Sequence, residues 1–514
     1  MILTLALLAC APRPAPGPSV GLPERPGHLT ILHTNDLHGH FLPEAAEWLP
    51  GRPAIGGMVR LEQEARSIRA QRPRDGVLML DGGDLLTGTP LTDIEVDGAK
   101  GGAMMRLLGA AGYDLWVVGN HDFDKGLENL IALAKASPIP MLTANVRAPD
   151  GRMLLPKQRA SEVIEVGGMR VGVIGATTDG LRGLVSAKDF ARLQLLKSAD
   201  AVRAEVKRLD PETDLIVLLS HVGLDQDKEL ARWVPGIDVI VGGHSHTRLT
   251  RAERVNDTWI VQAGSYGRSL GVVDLVVEND AVGDFRYELR DLHLDQPVTL
   301  ADGSPVREDA DLAAMVGGWK DDLESYYGKV VSTAPSLLGR SYHHESALGR
   351  WITDALRITA EADVTFYNGG GLRSDLPAGE VTHGTLYNCF PFANEIKVFD
   401  FTGEELNGVF LRNAIAEHDE KRGFLSLSGA TYRWRVANGS PEIVDVQVGG
   451  KPIALDGRYR VATTSYIAEQ WQKHFGVEPR DVVTLPLTDF DAAVAMAKAG
   501  PVVAPDEARA VKVD

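Results

Sequence analysis

Short apolar runs alternate with amphipathic stretches through the first half of the chain. Runs at 29–32, 77–80, 115–118, 140–144, 169–174, 215–219 and 239–241 read as buried strands. Apolar positions recur at helical spacing at 58–70, 103–108 and 201–209. Further runs at 259–262 and 272–277 read as closing strands. This alternation predicts a layered α/β domain with its functional loops at strand ends.

A second rhythm starts later. Leu312, Met315, Val316, Trp319, Leu323 and Tyr327 stand at helical spacing and predict a packing helix over 310–327. From about Val330 a new α/β pattern begins, with a helix opening at Leu348-Gly349-Arg350. A strand at Phe366-Tyr367 then runs into Asn368-Gly369-Gly370-Gly371-Leu372-Arg373. At 514 residues the chain exceeds what one core supports, so two domains are expected. The boundaries predicted are a leader and tether over 1–27, a first domain over 28–295, a linker with its helix over 296–330, and a second domain over 331–514.

The first residues change the picture of location. Residues 2–9 are almost wholly apolar and end at Cys10, too short a run to span a bilayer but the length of a signal-peptide core. Leu7-Leu8-Ala9-Cys10 resembles a bacterial lipobox, whose cysteine is acylated after cleavage. No Lys or Arg precedes Arg13, which departs from that pattern, and a plain secretory signal is the alternative. Six prolines between Pro12 and Pro26 make 11–27 an extended tether. The expectation is an exported bacterial protein, periplasmic or at the cell surface, touching the membrane only through a lipid on Cys10.

Charge and cysteine content narrow the chemistry. Net charge is −17 with no long basic run, which argues against a nucleic-acid polymer as partner. A small anionic substrate stays possible, because bound cations add positive charge that a sequence does not show. With only two cysteines, a disulfide scaffold is excluded and any metal must rest on His, Asp and Asn.

Such residues cluster after the strands of the first domain. They form Asn35-Asp36-Leu37-His38-Gly39, Asp81-Gly82-Gly83-Asp84, Gly119-Asn120-His121-Asp122-Phe123-Asp124, Ser220-His221, and Gly242-Gly243-His244-Ser245-His246. Hydrolysing a phosphate ester at neutral pH calls for a strong nucleophile and a neutralised leaving side. Two divalent ions sharing one bridging carboxylate supply both. Asp36 with His38, and His244 with His246, stand two apart, so each pair can turn toward one site from a short loop. Asp84 is the candidate bridge, and His221 completes the set. Any one of these stretches alone is more often a loop or a satisfied core histidine. All five, each following a predicted strand, make a site.

Together these motifs closely resemble the calcineurin-like metallophosphatases, and more narrowly the 5′-nucleotidase family, which includes periplasmic nucleotidase/UDP-sugar hydrolases. The resemblance implies a four-layer αββα metallophosphatase domain followed by a smaller α/β substrate-binding domain, with the 310–327 helix joining them. It implies two divalent ions, Zn²⁺ or Mn²⁺ by donor set, with Co²⁺ or Mg²⁺ also admissible. One ion is expected at Asp36, His38, Asp84 and His246, the other at Asp84, Asn120, His221 and His244. His121 is expected to face the substrate rather than a metal, with Asp124 orienting it. No role is assigned to Asp122.

In the second domain the resemblance makes Asn368 and Arg373 substrate contacts, and Phe392 and Tyr466 the two aromatics that hold a base. One departure stands out. The family's Gly-Gly-Asp-Gly run after the second aromatic is replaced by Gln470-Trp471-Gln472-Lys473. Arginines expected just before Leu348 are also missing, where Ser341-Tyr342-His343-His344-Glu345 stands. The function expected is hydrolysis of a small phosphoester, a 5′-nucleotide above all. Alternatives on the same fold are a 2′,3′-cyclic-nucleotide phosphodiesterase, a UDP-sugar hydrolase and a thiosulfohydrolase. A nucleotide-binding surface lipoprotein without turnover is a further alternative from another class.

Overall fold

The computed structural model describes residues 27–46, 49–72, 76–278 and 281–513. The lipobox at Cys10 and nearly all of the proline-rich tether lie outside the described residues.

Two six-stranded sheets form the first half. The first runs in the order Val282–Asp291, Ser269–Val277, Gly27–Thr34, Gly76–Asp81, Leu115–Val117, Met141–Leu142. The second runs Ser161–Val166, Met169–Thr177, Leu215–His221, Val239–Val241, Thr258–Val261, Glu253–Val255. Within each sheet four adjoining strands are parallel; antiparallel strands close one edge of the first sheet and both edges of the second. The apolar runs are unbroken because most of these strands are covered on both faces. Leu29, Ile31, Leu78 and Val117 of one sheet pack against Val171, Val173, Val217 and Val239 of the other.

Helices cover the outer faces. Met58–Gln71, Gly102–Ala110 and Leu127–Ala136 bury Leu61, Met104, Leu108 and Leu130 on the first sheet. Ser198–Leu209 and Leu224–Trp233 bury Val202, Val206 and Leu230 on the second. The result is the four-layer αββα arrangement. The expected strands all form, though that at 140–144 shortens to Met141–Leu142. Two helices escaped the periodicity reading. Leu127–Ala136 and Leu224–Trp233 each start a few residues after a site loop, beyond Gly126 and Gly223.

Helix Ala310–Tyr327 starts where Asp309 accepts hydrogen bonds from the amides of Asp311 and Leu312. It buries only Leu312 and Val316, on the first half's core. Its far end reaches the second half: Tyr326 stacks on His383 with ring centres 5.0 Å apart, and Tyr327 meets Tyr387 edge-on at 5.5 Å.

The second half holds a five-stranded sheet, ordered Leu425–Ser428, Val364–Asn368, Arg458–Thr464, Glu395–Thr402, Arg480–Thr488. A four-stranded sheet, Lys451–Pro452, Ser440–Val448, Ala430–Ala437 and Ala510–Lys512, lies beside it. Helix Ala347–Ala360 packs Trp351, Ile352 and Leu356 on one face of the larger sheet, and helix Gly403–Asp419 packs Leu406, Val409 and Phe410 on the other. Strand Val364–Asn368 ends in a tight turn at Gly369–Gly371. A side chain at Gly369 would lie 2.7 Å from the Ser341 carbonyl, so that turn needs a residue without one.

Candidate metal centre and substrate cavity

Every candidate ligand sits just beyond, or at, the C-terminal end of a parallel strand. Asp36 and His38 follow Gly27–Thr34, Asp84 follows Gly76–Asp81, and Asn120 follows Leu115–Val117. His221 ends Leu215–His221, and His244 and His246 follow Val239–Val241. Both sheets therefore deliver their loops to one crevice.

The loops lock to one another before any side chain matters. The amides of Asp36, His38 and Gly39 donate to the carbonyls of Gly83, Asp84 and Leu85, each at 2.9 Å. This zips the first loop onto the second. The backbone is strained in the process. Asp36, His38, Asp84, His244 and His246 have φ of 52°, 48°, 55°, 72° and 52°, a region that side-chain-bearing residues seldom adopt. Gly119 is needed for closeness: a Cβ there would lie 2.1 Å from Asp84 Oδ1.

Two groups of donor atoms result. Asp36, His38 and His246 form one, and Asp84, His221 and His244 the other, each with its ligand atoms within 4.8 Å of one another. His246 Nε2 is 3.3 Å from Asp36 Oδ1 and 3.1 Å from His38 Nε2. Asp84 Oδ2 lies 3.1 Å from His221 Nε2 and 3.9 Å from His38 Nε2, so it stands between the groups. The imidazoles are aimed by their other nitrogens. His38 Nδ1 donates to the Thr87 carbonyl at 2.7 Å, and His221 Nδ1 to the Gly82 carbonyl at 2.6 Å, which turns each Nε2 toward the crevice.

The residues fit a pair of cations. Asn120 Oδ1 and His221 Nε2 are buried without a hydrogen-bond partner, as metal ligands would be and as polar atoms otherwise seldom are. Burial, then the nearby Arg373 charge, holds His38 well below the ordinary imidazole range; burial, then His221, brings His244 to about 4. Both rings are thus neutral, the form that ligates, whereas at His221 burial is outweighed by Asp84, which raises the ring to about 10. Burial opposes charge on Asp84, but His221 and then His121 outweigh it and keep its carboxyl ionised.

His121 belongs to neither group. Its amide donates to Asp84 Oδ1 at 2.7 Å, and its Nδ1 donates to Asp124 Oδ2 at 2.7 Å. Nε2 is left for the cavity beyond. Burial disfavours a charged ring, but Asp124 and then Asp84 outweigh it and raise the pKa.

Three residues without an assigned role turn out to shape the site. Asp122 Oδ1 accepts from the amides of Leu85 and Leu86, at 3.0 and 3.2 Å, and Oδ2 accepts from Gly119 at 2.8 Å. It clamps the Asp84 loop to the His121 loop, and burial followed by the Asp84 charge raises its pKa to about 7. Asn35 Nδ2 donates to Asp36 Oδ2 at 2.6 Å, while its Oδ1 accepts from the Ala263 amide at 2.8 Å. Asp81 Oδ1 accepts from Gly83 at 2.9 Å. Each lies inside a motif beside a ligand, but nothing in a single sequence separates a clamp from a ligand.

The crevice opens into a cavity of about 590 Å³ between the two halves. Asn120, His121, His244 and His246 line one end; Asn368, Arg373, Phe392 and Tyr466 line the other walls. Arg373 Nη2 is 3.4 Å from His38 Nε2, and its guanidinium lies 5.8 Å from the Phe392 ring. Phe392 in turn is 5.6 Å from the His121 ring. Tyr466 donates from its hydroxyl to the Gly183 carbonyl at 3.2 Å, across the gap between halves. Gln470 and Lys473, the residues of the divergent stretch, also line the cavity.

Comparison with known proteins follows the same division. Residues 29–248 match the family model described as calcineurin-like phosphoesterase, and 330–476 match that for the 5′-nucleotidase C-terminal domain. A 5′-nucleotidase of Vibrio vulnificus is 29% identical over 490 residues, covering 86% of this chain and 84% of that one. The crystal structure of a 5′-nucleotidase precursor from Thermus thermophilus superimposes with a TM-score of 0.81 at 26% identity, over 95% of this chain and 99% of that one. The sulfate thiohydrolase SoxB of Thermus thermophilus shares the fold, with a TM-score of 0.76 at 21% identity over 96% and 98% of the two chains.

Proposed function

The chain belongs to the 5′-nucleotidase family of calcineurin-like phosphoesterases and is a phosphoester hydrolase, and on that premise we propose that it is a 5′-nucleotidase releasing nucleoside and phosphate. The observation that carries this reading is a metal-type crevice opening directly into a cavity walled by Arg373, Phe392 and Tyr466.

In this reading Asp36, His38, Asp84 and His246 hold one divalent ion, and Asp84, Asn120, His221 and His244 hold a second, Zn²⁺ or Mn²⁺ by donor chemistry. The ion pair supplies a hydrolytic nucleophile at neutral pH and Lewis-acid neutralisation of the phosphoryl oxygens. The protein's own groups do the rest. Arg373 offers a planar guanidinium to the phosphate beside His38. His121, held by Asp124, hydrogen-bonds the reacting phosphate or the leaving oxygen through Nε2 and stabilises charge there. Phe392 and Tyr466 present ring faces to a base, with Asn368 as a polar contact.

The test is a panel of 5′-nucleotides, 2′,3′-cyclic nucleotides, UDP-sugars and simple aryl phosphates. It is run on chelated protein with Mn²⁺, Zn²⁺, Co²⁺ or Mg²⁺ restored. Metal-dependent phosphate release fastest from 5′-nucleotides supports the reading. Fastest turnover of a cyclic nucleotide or UDP-sugar moves it to those activities, and no turnover of any member overturns it.

We also propose export with lipid attachment at Cys10, on the pattern of residues 2–10. Mass spectrometry of the mature N-terminus tests this: an unmodified N-terminus beyond Cys10 rules out the anchor.

A further inference from the structure

The first residue of helix Asp489–Ala499 joins two walls of the substrate cavity. The helix is firmly seated. Thr488 and Asp491 cap it reciprocally: the Asp491 amide donates to Thr488 Oγ1 at 3.1 Å, and the Thr488 amide to Asp491 Oδ2 at 2.9 Å. Ala492, Ala493 and Ala497 pack into the core that holds Trp351 and Ile352. Asp489 itself is fully buried. Its Oδ2 accepts from the Tyr367 hydroxyl at 3.0 Å and from Asn394 Nδ2 at 3.2 Å. Its amide donates to the Asn394 carbonyl at 2.9 Å. Burial pushes the carboxyl up to about 6 against the pull of Asn394 and Tyr367, so at neutral pH it is ionised and accepts from both.

Both donors stand beside substrate contacts. Tyr367 precedes Asn368 and the triple-glycine turn, which wraps its ring so closely that a side chain at Gly371 would lie 2.6 Å from it. Arg373 follows that turn. Asn394 comes two residues after Phe392, and Ala393 between them is held at a φ of 48°, where an alanine seldom rests. The two segments also meet directly, where the Arg373 amide donates to the Cys389 carbonyl at 3.0 Å. One tie leaves a pivot, and Asp489 adds the second. The Arg373 guanidinium accordingly stands 5.8 Å from the Phe392 ring.

We propose that Asp489 is a positioning residue for the reaction: acting through Tyr367 and Asn394, it ties the Arg373 turn and the Phe392 loop to one helix end and so sets the spacing between phosphate contact and base contact. This rests on the nucleotidase reading and deepens it, because that spacing selects which leaving group reaches the ring while its phosphate meets the arginine. A purely structural Asp489 would affect stability and leave the kinetic constants of the folded protein unchanged.

The test measures adenosine 5′-monophosphate and phenyl phosphate with metals restored, and thermal unfolding checks that each variant folds. Tyr367→Phe loosens the Arg373 turn, so KM should rise about fivefold or more for both substrates. Asn394→Ala loosens the Phe392 loop, so KM should rise about fivefold for the nucleotide and less than about twofold for phenyl phosphate. Asn394 also lines the cavity, so the double variant Phe392→Ala/Asn394→Ala decides how it acts. Action through the ring makes the double variant no worse than Phe392→Ala; additive losses make Asn394 a direct contact and overturn the tie. Asp489→Ala should combine both defects, and Asp489→Asn, which keeps an acceptor oxygen for both donors, should recover most of the loss. Lowered melting temperatures with wild-type KM for both substrates in Tyr367→Phe and Asn394→Ala overturn the proposal. If phenyl phosphate is cleaved and the nucleotide is not, the nucleotidase reading falls, and Tyr367→Phe on phenyl phosphate still decides whether the Arg373 turn is positioned this way.

Discussion

The two ends of the cavity are built in opposite ways. At the metal end, Asp36, His38, Asp84, Asn120 and His221 are buried, their loops are zipped backbone to backbone, and their rings are oriented by carbonyls. At the substrate end, Asn368, Arg373, Phe392 and Tyr466 are each partly exposed and have few fixed partners. The strain in the ligand loops is concentrated where charge must be held at fixed separation. The substrate walls carry little of it. A site built this way keeps its chemistry constant while its specificity is open to change, which is where this sequence departs from its family.

The sharpest way to break that comparison is to remove the bridge. Asp84→Ala takes away a member of one donor group, the carboxylate proposed to serve both ions, and the acceptor that fixes the His121 amide. Metal-dependent turnover should fall below detection, with metal content by elemental analysis dropping toward zero. Retention of two ions per chain would show that Asp84 does not bridge.

His121→Ala separates chemistry from metal holding. Turnover should fall roughly 10²–10⁴-fold, the usual worth of a positioned acid or base. Metal content should stay at the wild-type value, because the ring is in neither donor group. A metal-free variant would make His121 a ligand after all.

Gly119→Ala tests whether the locked backbone matters as much as the ligands. The new methyl collides with Asp84 Oδ1 and its amide, at 2.1 and 2.5 Å. Metal affinity should weaken by about 10–100-fold, as for other supports of ligand geometry. Wild-type affinity by competitive titration with a chelator would show that the Asp84 loop can move aside freely.

That backbone is also where reading the sequence stopped short. The layered fold was legible because 29–32, 77–80, 115–118 and 215–219 are covered on both faces, and such strands write themselves as continuous apolar runs. The donor residues were legible because five such stretches each follow a predicted strand, although any one of them alone is more often a plain loop. Asp122 was not. It looks like one more acidic residue in a motif, and only three-dimensional proximity reveals that its oxygens hold the Leu85, Leu86 and Gly119 amides.

The smallest effect should come from the substrate end. Phe392→Ala removes one ring face but leaves Arg373 and Tyr466, so the loss should lie near the low end of the about 1–3 kcal/mol that stacking contributes per base. KM for a 5′-nucleotide should rise roughly five- to tenfold. An aryl phosphate, held mainly by its phosphate, should change less. The ring also touches His121 and Arg373, at 5.6 and 5.8 Å, and through them could steady the catalytic geometry. The two roles separate cleanly in kinetics. Loss of stacking raises KM for nucleotides alone, whereas loss of support lowers kcat for every substrate. Equal effects on nucleotide and aryl phosphate would place Phe392 with the metal end of the cavity, and the boundary between the rigid and the adaptable halves of the site would move one residue toward the base.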